Sequence, residues 1–409
     1  EVSEAERVSL LQDAHYWKGK SASDAAARVR HEVYGQELDD LREARVTFGP
    51  EERPVSGRIP DHEKVMNKGL NGIIAEAKEG LQKLSFSDKD DLGKYYFLKA
   101  VIIACEGAIK FAHRYAELAR ELAGKESDTV RKKELEKIAD ICQWVPANPA
   151  RSFYEALQCF WFIHLSDNLE GAYITDTPGR MDQYLYPFYK RDLEEGRLSR
   201  QEAAEQLGCL WVKLNEMEAI KSTLWKEAGQ SSQFQNVTIG GVTSDGKDAT
   251  NELTYLLMEI SRQLKLTQPP LYLRCHKDTP IELFIKAVEV NRDRGDGQPA
   301  FLNDEPILLN FVAKGIPLQE ARDWVGAGCI HTYVAHASYG DRASYFNNAK
   351  IFELTLNNGI DPNNGKQIGP ATGDPRDFSS FNELYDASLR TTSRGLKNNR
   401  NKISLVISA

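Results

Sequence analysis

The sequence predicts an α/β protein with a helical periphery, and three observations carry that expectation. Apolar residues recur at helical spacing through about residue 230, and beyond it short β-rich runs bounded by glycine or aspartate alternate with helices. With 41% hydrophobic and 27% charged residues over 409 positions, the chain can bury a substantial core and has the composition of a soluble globular protein. Strands alternating with helices of this length point to a parallel or mixed sheet covered by helices. The expected division is a mainly helical outer part over 1–230 and an α/β part over 231–409, within one continuous domain.

The elements follow in order. EVSEAERVSLLQDAHYWKGK is acidic and amphipathic, unlike a signal or transit peptide. It opens without methionine, as a trimmed or partly represented chain would. Segments 61–84, 89–124 and 129–144 carry apolar residues at i, i+3, i+4 and i+7, with Ser87 and Asn148 in capping positions. FYEALQCFWFIHL (153–165) is apolar nearly all round and reads as a central buried helix. MDQYLYPFYKRDLEEG and SRQEAAEQLGCLWVKLNEMEAI give two more helices across the turn GRLS. QNVTIGGVT, LYLRCH, PAFLND and WVGAGC then read as strands, the first three each preceding a helix.

A net charge of −8 without a basic cluster argues against nucleic acid. No apolar run approaches the roughly 18 residues of a membrane-spanning helix. Cys105, Cys142, Cys159 and Cys209 lie in apolar helical stretches and read as buried hydrophobes in a reducing, cytoplasmic setting.

Cys329 differs. GAGCIHTYVAH removes side chains before it at Gly326, Ala327 and Gly328 and places His331 and His336 after it, so the thiol can project from a strand end into a cavity. Four readings fit the loop. Cys329 could be a thiolate nucleophile served by His331 or His336, or a metal ligand with both histidines, although Cys-x-His-x4-His is no strong zinc pattern. It could be a hydrogen-atom donor and acceptor in radical chemistry, which needs a dry pocket, or a structural cysteine.

The segments VPANPARSFYEALQCFWFIHL, PGRMDQYLYPFYKRDLEEGRLSRQEAAEQLGCLWVKLNE, QNVTIGGVTSDGKDATNELTYLLMEI, PAFLNDEPI and NNAKIFELTLNNGIDPNNGKQIGPATGDP together resemble the glycyl radical enzymes. The similarity is to the branch of choline lyase, polyol and hydroxyproline dehydratases, isethionate lyase and arylacetate decarboxylases. It implies a ten-stranded α/β barrel wrapped by helices, with Cys329 as the transient thiyl radical. It also implies a radical-bearing glycine installed by a separate iron-sulfur, S-adenosylmethionine-dependent activating enzyme, no cofactor bound within this chain, and a homodimer.

The family's C-terminal glycine loop is not visible before the chain stops at KNNRNKISLVISA, so the chain is expected to be the central part of a longer protein, or else one piece of a split enzyme. Eliminating members carry Cys-x-Glu, where this chain has His331. Dehydratases show Gly-His where this chain has Gly57 and Arg58, and arginine suits a carboxylate or sulfonate. Phe234, Tyr345 and Phe346 fall in segments that line the family's pocket, and His336 is expected outside the first layer of contacts. An anionic substrate follows, with arylacetate-type decarboxylation as the main expectation and His331 handling the carboxylate. Carbon-oxygen, carbon-nitrogen or carbon-sulfur cleavage of a small alcohol is the alternative, and a non-catalytic paralogue a further one.

Overall fold

The structure, a computed structural model, describes residues 3–20, 22–48, 57–86, 88–170, 175–217, 234–328, 331–334 and 345–392. The chain forms two compact units, Glu1–Ser56 with Asp341–Ala409, and Gly57–Gly340.

The first unit begins with α1 (Glu4–Trp17), held at its start by a capping box between Ser3 and Glu6, and α2 (Ala22–Glu43), kinked at Gly35. α1 buries none of its residues. β1 (Thr47–Phe48) follows.

The second unit opens with β2 (Gly57–Arg58) and α3 (His62–Gln82), whose first turn is capped by the Asp61 carboxylate on Lys64 N. α4 (Asp91–Lys125), α5 (Thr129–Trp144) and α6 (Phe153–Glu170) match the helices read from apolar spacing. Asn148 is not a helix N-cap. Its side chain donates to Trp144 O at the end of α5, while Ser152 Oγ accepts from Glu155 N in the first turn of α6. The other predicted cap, Ser87, lies outside the described residues.

α6 is the central helix that its all-round apolar pattern predicted. Phe153, Ala156, Cys159 and Phe160 are fully buried against residues of α3 and of the elements that follow. β3 (Thr175–Asp176), α7 (Met181–Tyr184), α8 (Tyr186–Glu194) and α9 (Arg200–Glu216) come next. On α9 the buried stripe is Leu207, Leu210, Trp211 and Leu214. Cys209 lies off that stripe and is exposed, which corrects its reading as a buried hydrophobe. Cys142 and Cys159 are buried as expected, and Cys105 is half-buried.

β4 (Val237–Gly240), α10 (Glu252–Leu264), β5 (Leu271–Cys275), α11 (Ile281–Arg294) and β6 (Ala300–Asn303) form two consecutive strand-helix-strand crossovers, and the three strands pair in parallel in that order. Parallel neighbours need a crossover of this length, which the alternating sequence supplies. α12 (Asp304–Ala313) and α13 (Leu318–Ala321) lead to β7 (Trp324–Ala327) and β8 (His331–Val334), an antiparallel hairpin. The chain then returns to the first unit with β9 (Tyr345–Phe346), paired antiparallel to β1, and α14 (Asn348–Leu356). Leu41, Ala44, Val46, Ile351 and Leu354 make that unit's core.

Among the described residues the strands form four small sheets, and a closed ten-stranded barrel is not seen. The strands are short and their ladders are interrupted. β2 and β3 pair in parallel, and β3 reaches β4 only through local bonds: Asp176 N donates to Phe234 O at 3.1 Å, and Thr238 N donates to Gly179 O at 2.9 Å. Pro178 sits between these contacts and has no N–H to continue the ladder.

Buried charge locks the second unit. Arg274 is fully buried, forks onto both oxygens of Asp304 at 2.8 and 2.9 Å, donates to Trp324 O at 2.8 Å and lies 4.4 Å from the Trp324 ring centre. Burial first, and then Arg180, push its guanidinium down to about 10, so it stays cationic at neutral pH. Arg180 itself donates to Gly240 O, Val242 O and Asp323, tying the turn before α7 to the end of β4. No helix among the described residues is long and apolar enough to cross a membrane.

Candidate active site

Of the predicted loop GAGCIHTYVAH, Gly326 and Ala327 lie on β7 and His331, Thr332, Tyr333 and Val334 lie on β8, which pair as an antiparallel hairpin. β7 is buried along its whole length, and β8 is half-buried at His331 and Thr332 and buried at Tyr333 and Val334. The register pairs Ala327 with His331 and Gly326 with Thr332. Gly328 has a φ of 58°, a left-handed conformation that glycine adopts without steric cost. Cys329 and His336 lie outside the described residues. The His331 ring is stacked on Tyr333, with centres 6.2 Å apart and planes 7° apart.

Side chains from the parallel sheet hold this hairpin. Asn236 Nδ2 donates to Gly328 O at 3.1 Å, and Tyr272 Oη donates to the same oxygen at 2.6 Å. Gly326 N donates to Thr238 Oγ1 at 3.0 Å. The Tyr272 ring also packs on Gly326 so closely that a Cβ there would fall 2.1 Å from its Cδ2. The glycine-rich run therefore serves close approach as well as turning.

The other predicted residues divide by unit. Arg58 is the Cα partner of Asp176 across β2 and β3, and Asp176 N donates to Phe234 O, so positions 58, 176 and 234 lie on adjacent backbone segments. Phe234 is half-buried, and two residues on Asn236 reaches Gly328. Tyr345 and Phe346 belong to the first unit, where they pair with Phe48 and Thr47.

A buried polar group that sequence reasoning missed lies behind Phe234. His164, Asp176, Gln235 and Asn236 are all fully buried. Gln235 Nε2 donates to Leu214 O at 2.6 Å, which turns Oε1 toward His164 Nε2 at 2.8 Å. In the neutral ring the proton is then on Nε2. Burial pushes His164 down to about 4, against an opposing contribution from the Gln235 bond. Its Nδ1 lies 3.5 Å from Asp176, and Asn168 bonds both the His164 carbonyl and Asp176.

His62 lies tilted against the Phe160 and Tyr184 rings, and burial, then His164, hold it well below the usual histidine range. A lone histidine in the apolar run of α6, and polar Gln235 and Asn236 opening a buried strand, were the signals available. Among the described residues no group of three His, Cys, Asp or Glu could hold a metal ion. A groove of about 930 Å³ between α4, α5, α6 and α9 has mainly apolar walls, and none of the predicted site residues lines it.

The glycine-turned hairpin is thus gripped by buried polar side chains from the N-terminal ends of the parallel strands β4 and β5. The chain belongs to the pyruvate formate lyase-like family, whose model it matches over residues 1–398, within the branch of glycyl radical lyases and dehydratases. It is 39% identical to trans-4-hydroxy-L-proline dehydratase of Clostridioides difficile, over 81% of this chain and 43% of that one. Its identity to isethionate sulfite-lyase of Oleidesulfovibrio alaskensis is 36%, over 94% and 48%. It superposes with a TM-score of 0.89 on the glycerol-bound B12-independent glycerol dehydratase of Clostridium butyricum, 37% identical, covering 98% of this chain and 50% of that one. Indoleacetate decarboxylase of Tractidigestivibacter scatoligenes is 29% identical. The chain spans about half the length of the curated relatives it matches.

Proposed function

We propose that the protein acts as a glycyl radical lyase that breaks a carbon-oxygen or carbon-sulfur bond in a small hydroxylated substrate bearing an anionic group. The arylacetate decarboxylation expected from the sequence gives way to this reading, because the dehydratase and sulfite-lyase relatives are the more similar ones. The observation that supports the anionic substrate is the backbone adjacency of positions 58, 176 and 234, the last of them two residues before the asparagine that holds Gly328. It puts the backbone of position 58 on the strand beside Asp176, and the residue at that position is an arginine.

The glycyl radical, installed by an activating enzyme, supplies the unpaired electron. In the proposed step the Cys329 sulfur radical takes a hydrogen atom from the carbon carrying the substrate hydroxyl and becomes a thiol. Loss of the hydroxyl proton to a base makes that carbon electron-rich, and the neighbouring carbon expels its substituent as an anion. The product radical then recovers the hydrogen from the thiol. His331 stands where related eliminating enzymes carry glutamate and is the candidate base, in its neutral form. Arg58 would pair with the anionic group, and Phe234 would close the apolar side.

The test is anaerobic activation of the full-length natural protein, followed by assay with polyols, hydroxyproline, hydroxyalkyl sulfonates and arylacetates. Aldehyde with sulfite, or dehydration of a sulfonated or carboxylated alcohol, is expected. Carbon dioxide from an arylacetate would restore the decarboxylase reading. Turnover surviving Cys329→Ala would overturn the radical assignment.

A further inference from the structure

The geometry points to Asn236 and Tyr272 as a pair of positioning residues that fix the Gly328 carbonyl, and with it the chain that delivers Cys329 to the substrate. The inference rests on the reading of Cys329 as the reacting thiol, and it names the machinery that would aim it.

One donor, Asn236, immediately precedes β4, and the other, Tyr272, lies on the neighbouring strand β5. Asn236 and Thr238 are two apart in an extended segment and share a face, and Tyr272 is the Cα partner of Thr238 on β5. All three point at the hairpin. Thr238 takes the Gly326 N–H, and Asn236 and Tyr272 both give their hydrogens to the Gly328 oxygen. That carbonyl has two acceptor sites, so the pair fills it.

Asn236 is fully buried and Tyr272 is 6% exposed, so water cannot readily replace either donor. The arrangement defines position as well as satisfying polar groups. Two donors from different segments of the chain fix the oxygen in two directions, and the tyrosine ring sets the height of β7 by its contact with Gly326. Gly328, at a φ of 58°, has backbone freedom that this clamp removes. A thiol that must donate and recover a hydrogen atom at the same carbon depends steeply on such placement.

Two near-isosteric variants of the full-length natural protein test this. Tyr272→Phe keeps the ring on Gly326 and removes one donor. Asn236→Asp keeps the shape but turns a donor into an acceptor unless its carboxyl is protonated. In the activated enzyme each is expected to lower kcat by about tenfold or more with KM changed by less than about twofold, the pattern of lost positioning at unchanged binding. The Asn236→Asp deficit, taken as a ratio to wild type at each pH, is expected to shrink as pH falls and the carboxyl gains a donor hydrogen.

In the resting protein, which needs no radical, iodoacetamide followed by peptide mapping is expected to show a changed Cys329 alkylation rate in both variants, while Cys209 reacts as before. Folded variants whose Cys329 alkylation stays within about twofold of wild type would overturn the clamp. So would a loss of kcat in Asn236→Asp that is independent of pH. If the wild-type protein shows no radical turnover, the proposed function fails, and the alkylation arm still decides the clamp.

Discussion

At the scale of single residues, the second unit relies on buried polar groups whose partners lie far away in sequence. Arg274 and Asp304 are the clearest pair, because both are fully enclosed and the guanidinium also carries Trp324 O. Removing one partner leaves the other charge buried. Arg274→Met is therefore expected to cost about 3–5 kcal/mol in urea unfolding, and Arg274→Met with Asp304→Leu should recover part of that loss. His62 makes a different prediction. Among the described residues neither ring nitrogen has a hydrogen-bond partner, and the ring packs between Phe160 and Tyr184. His62→Phe should hold or raise the melting temperature, since a buried polar group without a partner is itself a cost. A fall of several degrees would mean that the ring makes a bond that phenylalanine loses. None of these pairings could be read from sequence, because no spacing links residue 62 to 160 or 274 to 304.

At the scale of elements, periodicity and caps were legible because they are local. α3, α4, α5, α9, α10 and α11 fall where apolar spacing placed them. α10 begins with a capping box in which Asn251 accepts from Thr254 N and Thr254 Oγ1 accepts from Asn251 N. Asn251 also donates to Asp182 O, which ties the helix start to α7. Asn251→Ala should cost about 1–2 kcal/mol, read as a shift in the urea midpoint without a change in slope. The hairpin obeys a tertiary rule instead. Gly326, read from the sequence as part of the strand WVGAGC, does lie inside buried β7, but the Tyr272 ring that packs against it comes from a distant segment. Gly326→Ala is expected to destabilise by about 1–3 kcal/mol through overpacking, and Tyr272→Ala in the same chain should relieve the clash while adding a cavity. Asn148 shows the opposite limit, since a residue with cap chemistry closes the preceding helix when tertiary contacts leave it there.

At the scale of the whole molecule, the buried histidines give the protein an acid-sensitive stability. His164 is held at about 4, against an unfolded value of about 6.5, and His62 shifts in the same direction. The unfolded chain therefore takes up protons first as pH falls. The stability His164 confers is complete above about pH 6.5 and is lost progressively down to about pH 4, a swing of about 3 kcal/mol, and His62 adds a loss in the same direction. Melting temperatures measured across that window should fall with acid, and the fall should be shallower in His62→Phe. A flat profile would mean that His164 keeps its proton in the folded state, paired with Asp176. The sequence by itself determined the class of architecture, the order of helices and strands and the family resemblance, because local periodicity and ordered segments survive in one dimension. It also singled out the loop around Cys329 through glycine content. Only the tertiary structure decided that the described strands form short interrupted sheets, that Arg58 runs beside Asp176, and that Asn236 and Tyr272 meet on one carbonyl. Those facts depend on which strands become neighbours, and neighbours in a parallel sheet are chosen by packing between segments tens to hundreds of residues apart.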